Sequence, residues 1–233
     1  MPNARLRHAA ALLALLALPL AAAPVSPFSA TYEVRRNGSA LGEATLTLVP
    51  DGQGWRLSTT TVGTAGLARV AGVRIEETTR FDYRAEGRPA TREYDYLQRS
   101  SLNQRRRSAR VSDAAIELVN GDERRSLPLV PGAVDRQLTT VALMQAVAAG
   151  RSGETSLQVL GRGDIEAQRW RIGDLEPVPG GGGMGRRVER LRETPDGRST
   201  VLWLDDDGGH VPLRIEQRED DGETIEMRLL RRG

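Results

Sequence analysis

The 233-residue chain contains no cysteine. Disulfides, thiolate metal sites, thiol nucleophiles and a lipid-modified amino-terminal cysteine are therefore excluded. Lysine is also missing, so all 33 basic residues are arginine, a bias we read as coding preference rather than phosphate recognition. Histidine occurs twice, at His8 and His210. A multi-histidine zinc site has no second ligand, and a histidine-dependent triad has no evident nucleophile to pair with His210. Only nine aromatic residues are available to fill a domain. Beyond Leu20 no apolar run is long enough to cross a bilayer.

What is present begins with a three-part leader. Arg5, Arg7 and His8 precede the apolar run Ala9–Leu20, and small residues follow at Ala21, Ala22 and Ala23. This is the pattern of a secretory signal peptide, with an uncleaved anchor as the competing reading. Residues 1–23 are expected to be signal and residues 24–233 a single β-rich domain, soluble in the periplasm with no transmembrane anchor after cleavage. The mature chain loses Arg5 and Arg7, leaving 31 basic and 31 acidic residues. A formally neutral chain gives no argument for nucleic acid as a partner.

The remainder alternates. Ala30, Tyr32 and Val34 share one side of a strand, and Asn37-Gly38 then signals a hairpin, because both residues tolerate positive φ. About a dozen such runs recur at intervals of 8–12 residues, with turns at Asn120-Gly121 and Asp221-Gly222 among others. A short helix or bend is expected around Leu67–Val70. One longer helix stands out over Asp135–Ala149, with Asp135 as a cap and Gly150 as a stop; its second half has little polar face, which predicts burial. The fold class is therefore mainly β: a single antiparallel, strongly curved sheet or half-open barrel with one buried α-helix.

Candidate sites are few. Asp205 and Asp207 suggest a calcium loop, and Glu216 falls at position twelve, but His210 occupies the position where the mid-loop glycine belongs. An acidic hairpin fits better, and Val211, Leu213 and Ile215 then alternate as a strand. Carboxylate pairs such as Glu76 and Glu77 carry no mark of burial. The "GGGGMG" run lacks the Lys-Ser/Thr of a phosphate loop and reads as a flexible linker between strands. In "RRRSAR", Arg105 and Arg107 share one face while Arg106 and Arg110 share the other. That predicts an edge strand or one lining a wet groove, with an anionic headgroup as the functional alternative. No cofactor or metal site and no catalytic residue is expected.

The carboxy-terminal pattern resembles the closing motif of a family of exported bacterial proteins, domain of unknown function 3108. The residues that carry it are Trp203, Leu204, Asp207, Pro212, Arg214, Ile215, Asp221 and Gly222. Tyr32, Val34, Gly38 and Gly42 match its amino-terminal strand and hairpin, and Asp135–Ala149 its mid-chain helix. The resemblance implies one antiparallel β domain with a helix packed on or in it, and no known activity. The architecture is also similar to the half-barrels of the outer-membrane lipoprotein carrier group, which hold acyl chains beneath a helix. Three functions are open: a non-catalytic periplasmic protein binding a lipid or lipoprotein acyl chain, a structural or assembly factor contacting envelope proteins, and, last, a hydrolase-type enzyme. On the first reading Trp55, Phe81, Tyr83, Trp170 and Trp203 line the concavity; otherwise they are core.

Overall fold

The structure, a computed structural model, describes residues 25–84, 87–192, 198–206 and 209–233. The stretch read as a secretion signal lies outside them. Strands β1 (Phe28–Arg36), β2 (Ser39–Asp51) and β3 (Gly54–Gly63) are followed by a short helix α1 (Gly66–Val70). Strands β4 (Arg74–Tyr83), β5 (Pro89–Arg99), β6 (Gln104–Val111), β7 (Ala115–Asn120) and β8 (Glu123–Pro128) continue the meander. A two-residue strand β9 (Val134–Asp135) leads into helix α2 (Leu138–Ala148). Then come β10 (Gly153–Leu160), β11 (Ile165–Pro177), β12 (Met184–Leu191), β13 (Ser199–Asp205), β14 (Pro212–Arg218) and β15 (Thr224–Arg232).

All fifteen strands form one sheet in the order β8-β7-β6-β5-β4-β3-β2-β1-β15-β14-β13-β12-β11-β10-β9. Every ladder is antiparallel except β9–β10, which is parallel because α2 forms the crossover between them. The predicted turns follow from local chemistry: Asn37 and Gly38 adopt φ of 49° and 77°, and Gly222 closes the β14–β15 connection at φ 84°. That last turn is longer than the two residues expected, since Glu219 and Glu223 pair across it.

The sheet curls around α2. Leu138, Val141, Leu143, Met144 and Val147 of the helix are buried against Tyr32, Leu46, Leu48, Leu57 and Phe81 on one side and Trp170, Val188, Leu202 and Leu204 on the other. Each such side chain contributes roughly 1.5–3 kcal/mol on leaving water. The helix starts later than the sequence suggests: Val134–Asp135 is spent on β9, and Gly150, at φ 71°, ends it as expected. Between β8 and β9 no ladder closes the barrel. Leu127, Leu129 and Val130 instead join Leu160 and Ile165 in a second apolar cluster with Tyr94, Tyr96 and Ile116, and Arg125 donates to the Gly163 carbonyl at 3.4 Å. This seam is sealed by side chains.

Two expectations are corrected. Strand β6 lies between β5 and β7, so its arginines do not guard an edge, a position that belongs to β8, where Glu123, Arg124, Arg125 and Ser126 are exposed; the groove alternative holds, since Arg106 and Arg107 line a space of about 530 Å³ with Glu76 and Asp95. The glycine run is a folded turn rather than a loose linker. Gly180 to Gly183 hold φ of 78°, 96°, 111° and 93°, Val178 donates to the Gly183 carbonyl at 2.9 Å, and Val178 is buried on the sheet's outer face. Side-chain periodicity carries no signal in a stretch without side chains.

Candidate functional site

The five aromatic residues singled out in the sequence do not form one wall. Trp55 and Phe81 face each other across β3 and β4, and Tyr83 meets both edge-on, with ring centroids 5.7 and 5.4 Å away. Phe81 is fully buried, and burial pushes the Tyr83 phenol up to about 12 against the opposing pull of a bond with the Val25 backbone. Trp170 lies in the main core beneath α2. Trp203 stands on the opposite face of the sheet, in a separate cluster with Val178 and Val201. There its indole donates to Glu176 at 2.7 Å, the Arg214 guanidinium lies 5.4 Å from its ring, and Arg214 donates to the Pro179 carbonyl. Gly185 lets this turn approach: a Cβ there would sit 2.9 Å from that of Trp203.

The interior holds polar groups that the sequence did not mark. Asp135 is completely buried. Its Oδ1 accepts the backbone N–H of Gln137 and Leu138 at 2.9 and 3.0 Å, starting α2, and its Oδ2 accepts the hydroxyls of Thr79 and Thr91 at 3.0 and 2.8 Å. Thr79 also accepts from Gln137 Nε2 and Thr91 from the Asp135 N–H, which ties both hydroxyls to the start of α2. Burial raises the Asp135 carboxyl to about 6 against the opposing pull of these four bonds. The cap was legible; its link to β4 and β5 was not, because Thr79 and Thr91 are distant in sequence.

A second polar group surrounds Glu77, the buried member of the Glu76–Glu77 pair. It accepts from Tyr94 at 2.9 Å and from Arg136 at 3.0 Å, and Arg136 and Arg107 both stack on Tyr96. The acidic stretch from Trp203 onward forms two hairpins, β13–β14 and β14–β15. Asp205 pairs with Arg232, and His210, at φ 51°, bonds the Asp205 carbonyl through Nδ1 at 3.0 Å. Asp207 lies outside the described residues.

Three cavities border the helix and its approach. Beside the carboxy-terminal half of α2 lies a cavity of about 350 Å³. Val134, Ala142, Ala146, Ala149 and Leu157 supply apolar wall, and Arg84, Arg88 and Arg151 stand around it. At the other end, cavities of about 150 and 130 Å³ share Arg136, Val159 and Gln168.

Fold and interior together define a β-barrel-like protein: a single unclosed sheet plugged by a buried helix. The chain belongs to the family described as "Protein of unknown function (DUF3108)", whose model matches residues 31–229. Among solved structures it is similar to a beta-barrel-like protein of domain of unknown function DUF1849 from Brucella abortus, at 14% identity and a TM-score of 0.58, over 90% of this chain and 98% of that one. A DUF1089 family protein from Pseudomonas aeruginosa is similar at 12% identity and a TM-score of 0.38, over 90% of this chain and 95% of that one. The first likeness supports the barrel-like fold alone. No curated protein matches the chain.

Proposed function

We propose that this is a non-catalytic periplasmic binding protein of the cell envelope, which holds a lipophilic ligand in the cavity beside α2. The observation that carries the reading is that cavity of about 350 Å³, whose apolar helix wall is ringed by Arg84, Arg88 and Arg151. Its volume falls in the range of roughly 300–1,000 Å³ that suits small-molecule sites, and polar groups at an apolar mouth fix the orientation of an amphiphile. The amino-terminal leader pattern supports the periplasmic assignment. Native mass spectrometry of protein gently purified from the periplasm is expected to show a co-purified amphiphile, lost in Ala146→Trp. A clean apo mass for the wild type, with no uptake of a fluorescent fatty acid, would refute the reading.

One observation favours contact with an envelope protein. Leu67 and Val70 of α1 and Leu102 of the β5–β6 turn are 85%, 79% and 92% exposed, and the Ser101 N–H bonds the Ala71 carbonyl between them at 2.8 Å. A photocrosslinker at position 102 is expected to capture a discrete partner in cells if this tip docks, and nothing above background if it does not.

A further inference from the structure

The end of the barrel opposite the lipophilic cavity is cationic. Its cavity of about 150 Å³ lies at the seam, between β6–β7 and the β10–β11 connection, and is lined by Arg107, Arg136 and Arg162 together with Asn120 and Gln168. Glu77 is the carboxylate bonded into this group, and it is shared between Arg136 and Tyr94. Asp164, in the same loop as Arg162, packs its carboxylate against Gly161. Arg107 and Arg162 make no ion pair among the described residues. Burial, and then repulsion from Arg162 and Arg136, holds the Arg107 guanidinium below its ordinary value against the pull of Tyr96 and Tyr94.

Two donors here are buried without an acceptor among the described residues. One is the Nε–H of Arg107. The other is the indole N–H of Trp170, a side chain only 3% exposed that lines the adjoining cavity of about 130 Å³. A buried donor without a partner is costly, and three guanidiniums that share the one carboxylate of Glu77 leave positive charge for a further anion. Guanidinium forks match tetrahedral oxyanions in shape as well as charge. A volume of about 150 Å³ is well below the roughly 300 Å³ where drug-sized sites begin, so the ligand is small.

We propose that the seam end binds a small phosphate-class oxyanion, held by Arg107 from one side of the gap and Arg162 from the other, with Arg136 and Gln168 between. The anion joins β6 to the β10–β11 connection where no backbone ladder does, and so adds a charged clasp to the side-chain seal of the seam. The site shares no residue with the lipophilic cavity. It therefore stands or falls independently of the function proposed above.

The test uses the mature protein at constant ionic strength, titrated with inorganic phosphate, methyl phosphate, sulfate and chloride while thermal unfolding is followed, with affinities from calorimetry. A saturable rise in Tm with phosphate or methyl phosphate, absent with chloride, is expected. Tighter methyl phosphate binding places its organic group in the cavity lined by Trp170; tighter inorganic phosphate binding assigns the site to the free ion. Arg107→Gln and Arg162→Gln, each checked for native circular dichroism, are expected to weaken binding at least tenfold. Arg162 is exposed and its replacement spares the core. The double variant Arg84→Gln/Arg151→Gln, at the opposite end, is expected to bind as the wild type does. No binding of either phosphate by the wild type, or equal binding by Arg107→Gln and Arg162→Gln, overturns the proposal.

Discussion

Trp170 and Trp203 are two strands apart and nearly equally buried, at 3% and 5% exposure, yet they stand on opposite faces of one sheet. Trp170 packs under the helix among aliphatic side chains, and its N–H has no partner among the described residues. Trp203 is roofed by a glycine turn, bonded to Glu176 and flanked by a guanidinium. Outside it, Arg214, Glu216, Glu226 and Arg228 form a chain of ion pairs. The inner face is held by shape and the outer by polar partners, so burial alone does not say what a tryptophan contributes.

That contrast can be broken by truncation. Trp170→Ala is expected to cost the most, near the upper end of the roughly 3–5 kcal/mol typical of a buried tryptophan, because the helix blocks collapse of the cavity. Trp203→Ala is expected at the lower end of the same range, since a flexible turn can settle into the gap. Denaturant unfolding at pH 7 ranks the two; a larger loss for Trp203→Ala would reverse the assignment of faces.

The inner polar lock comes next. Asp135→Ala leaves two helix N–H groups and two threonine hydroxyls buried without an acceptor, and is expected to cost about 3 kcal/mol. Its pH dependence has a definite sign. The folded carboxyl titrates at about 6, above its ordinary 3.8, so the native state binds the proton more tightly than the unfolded chain does. The stability this group contributes is complete below pH 3.8 and is lost as pH rises through 6, by up to about 3 kcal/mol. The wild-type advantage over Asp135→Ala should shrink across that window, and a flat difference would show that the carboxyl is not so displaced.

Phenylalanine sharpens the comparison at small amplitude. Trp203→Phe forfeits the Glu176 bond and weakens the arginine contact, at a cost of about 1 kcal/mol. Trp170→Phe removes an unmet N–H along with part of the ring. Its cost should fall about 2 kcal/mol or more below that of Trp170→Ala, because most of the packing survives.

The sequence made some of this legible and hid the rest for physical reasons. Alternation, the Asn37-Gly38 hairpin and the nearly all-apolar α2 identify a curved sheet around a helix, because each signal is local. The face that Trp203 takes was hidden, since Val201, Leu202, Trp203 and Leu204 are all buried and alternation cannot choose between two apolar sides. Arg107, Arg136 and Arg162 meet only because the sheet curls, and no spacing along the chain announces that. Of the closing Trp-Leu and Pro-x-Arg-Ile residues, Trp203 and Arg214 meet on the outer face, whereas Leu204 and Ile215 pack inward on the main core.

Strand β1 lies between β2 and β15, and Ser29 and Gly233 exchange backbone bonds at 3.2 and 2.8 Å. The middle of this sheet is thus completed by its earliest and latest strands. Until β15 is made and docked, one flank of β1 is bare. Over that interval the strand is a template for any passing extended segment. Losing β15 would strip the sheet at its centre rather than fray its rim, so a chain without it should aggregate instead of folding as a slightly shortened protein.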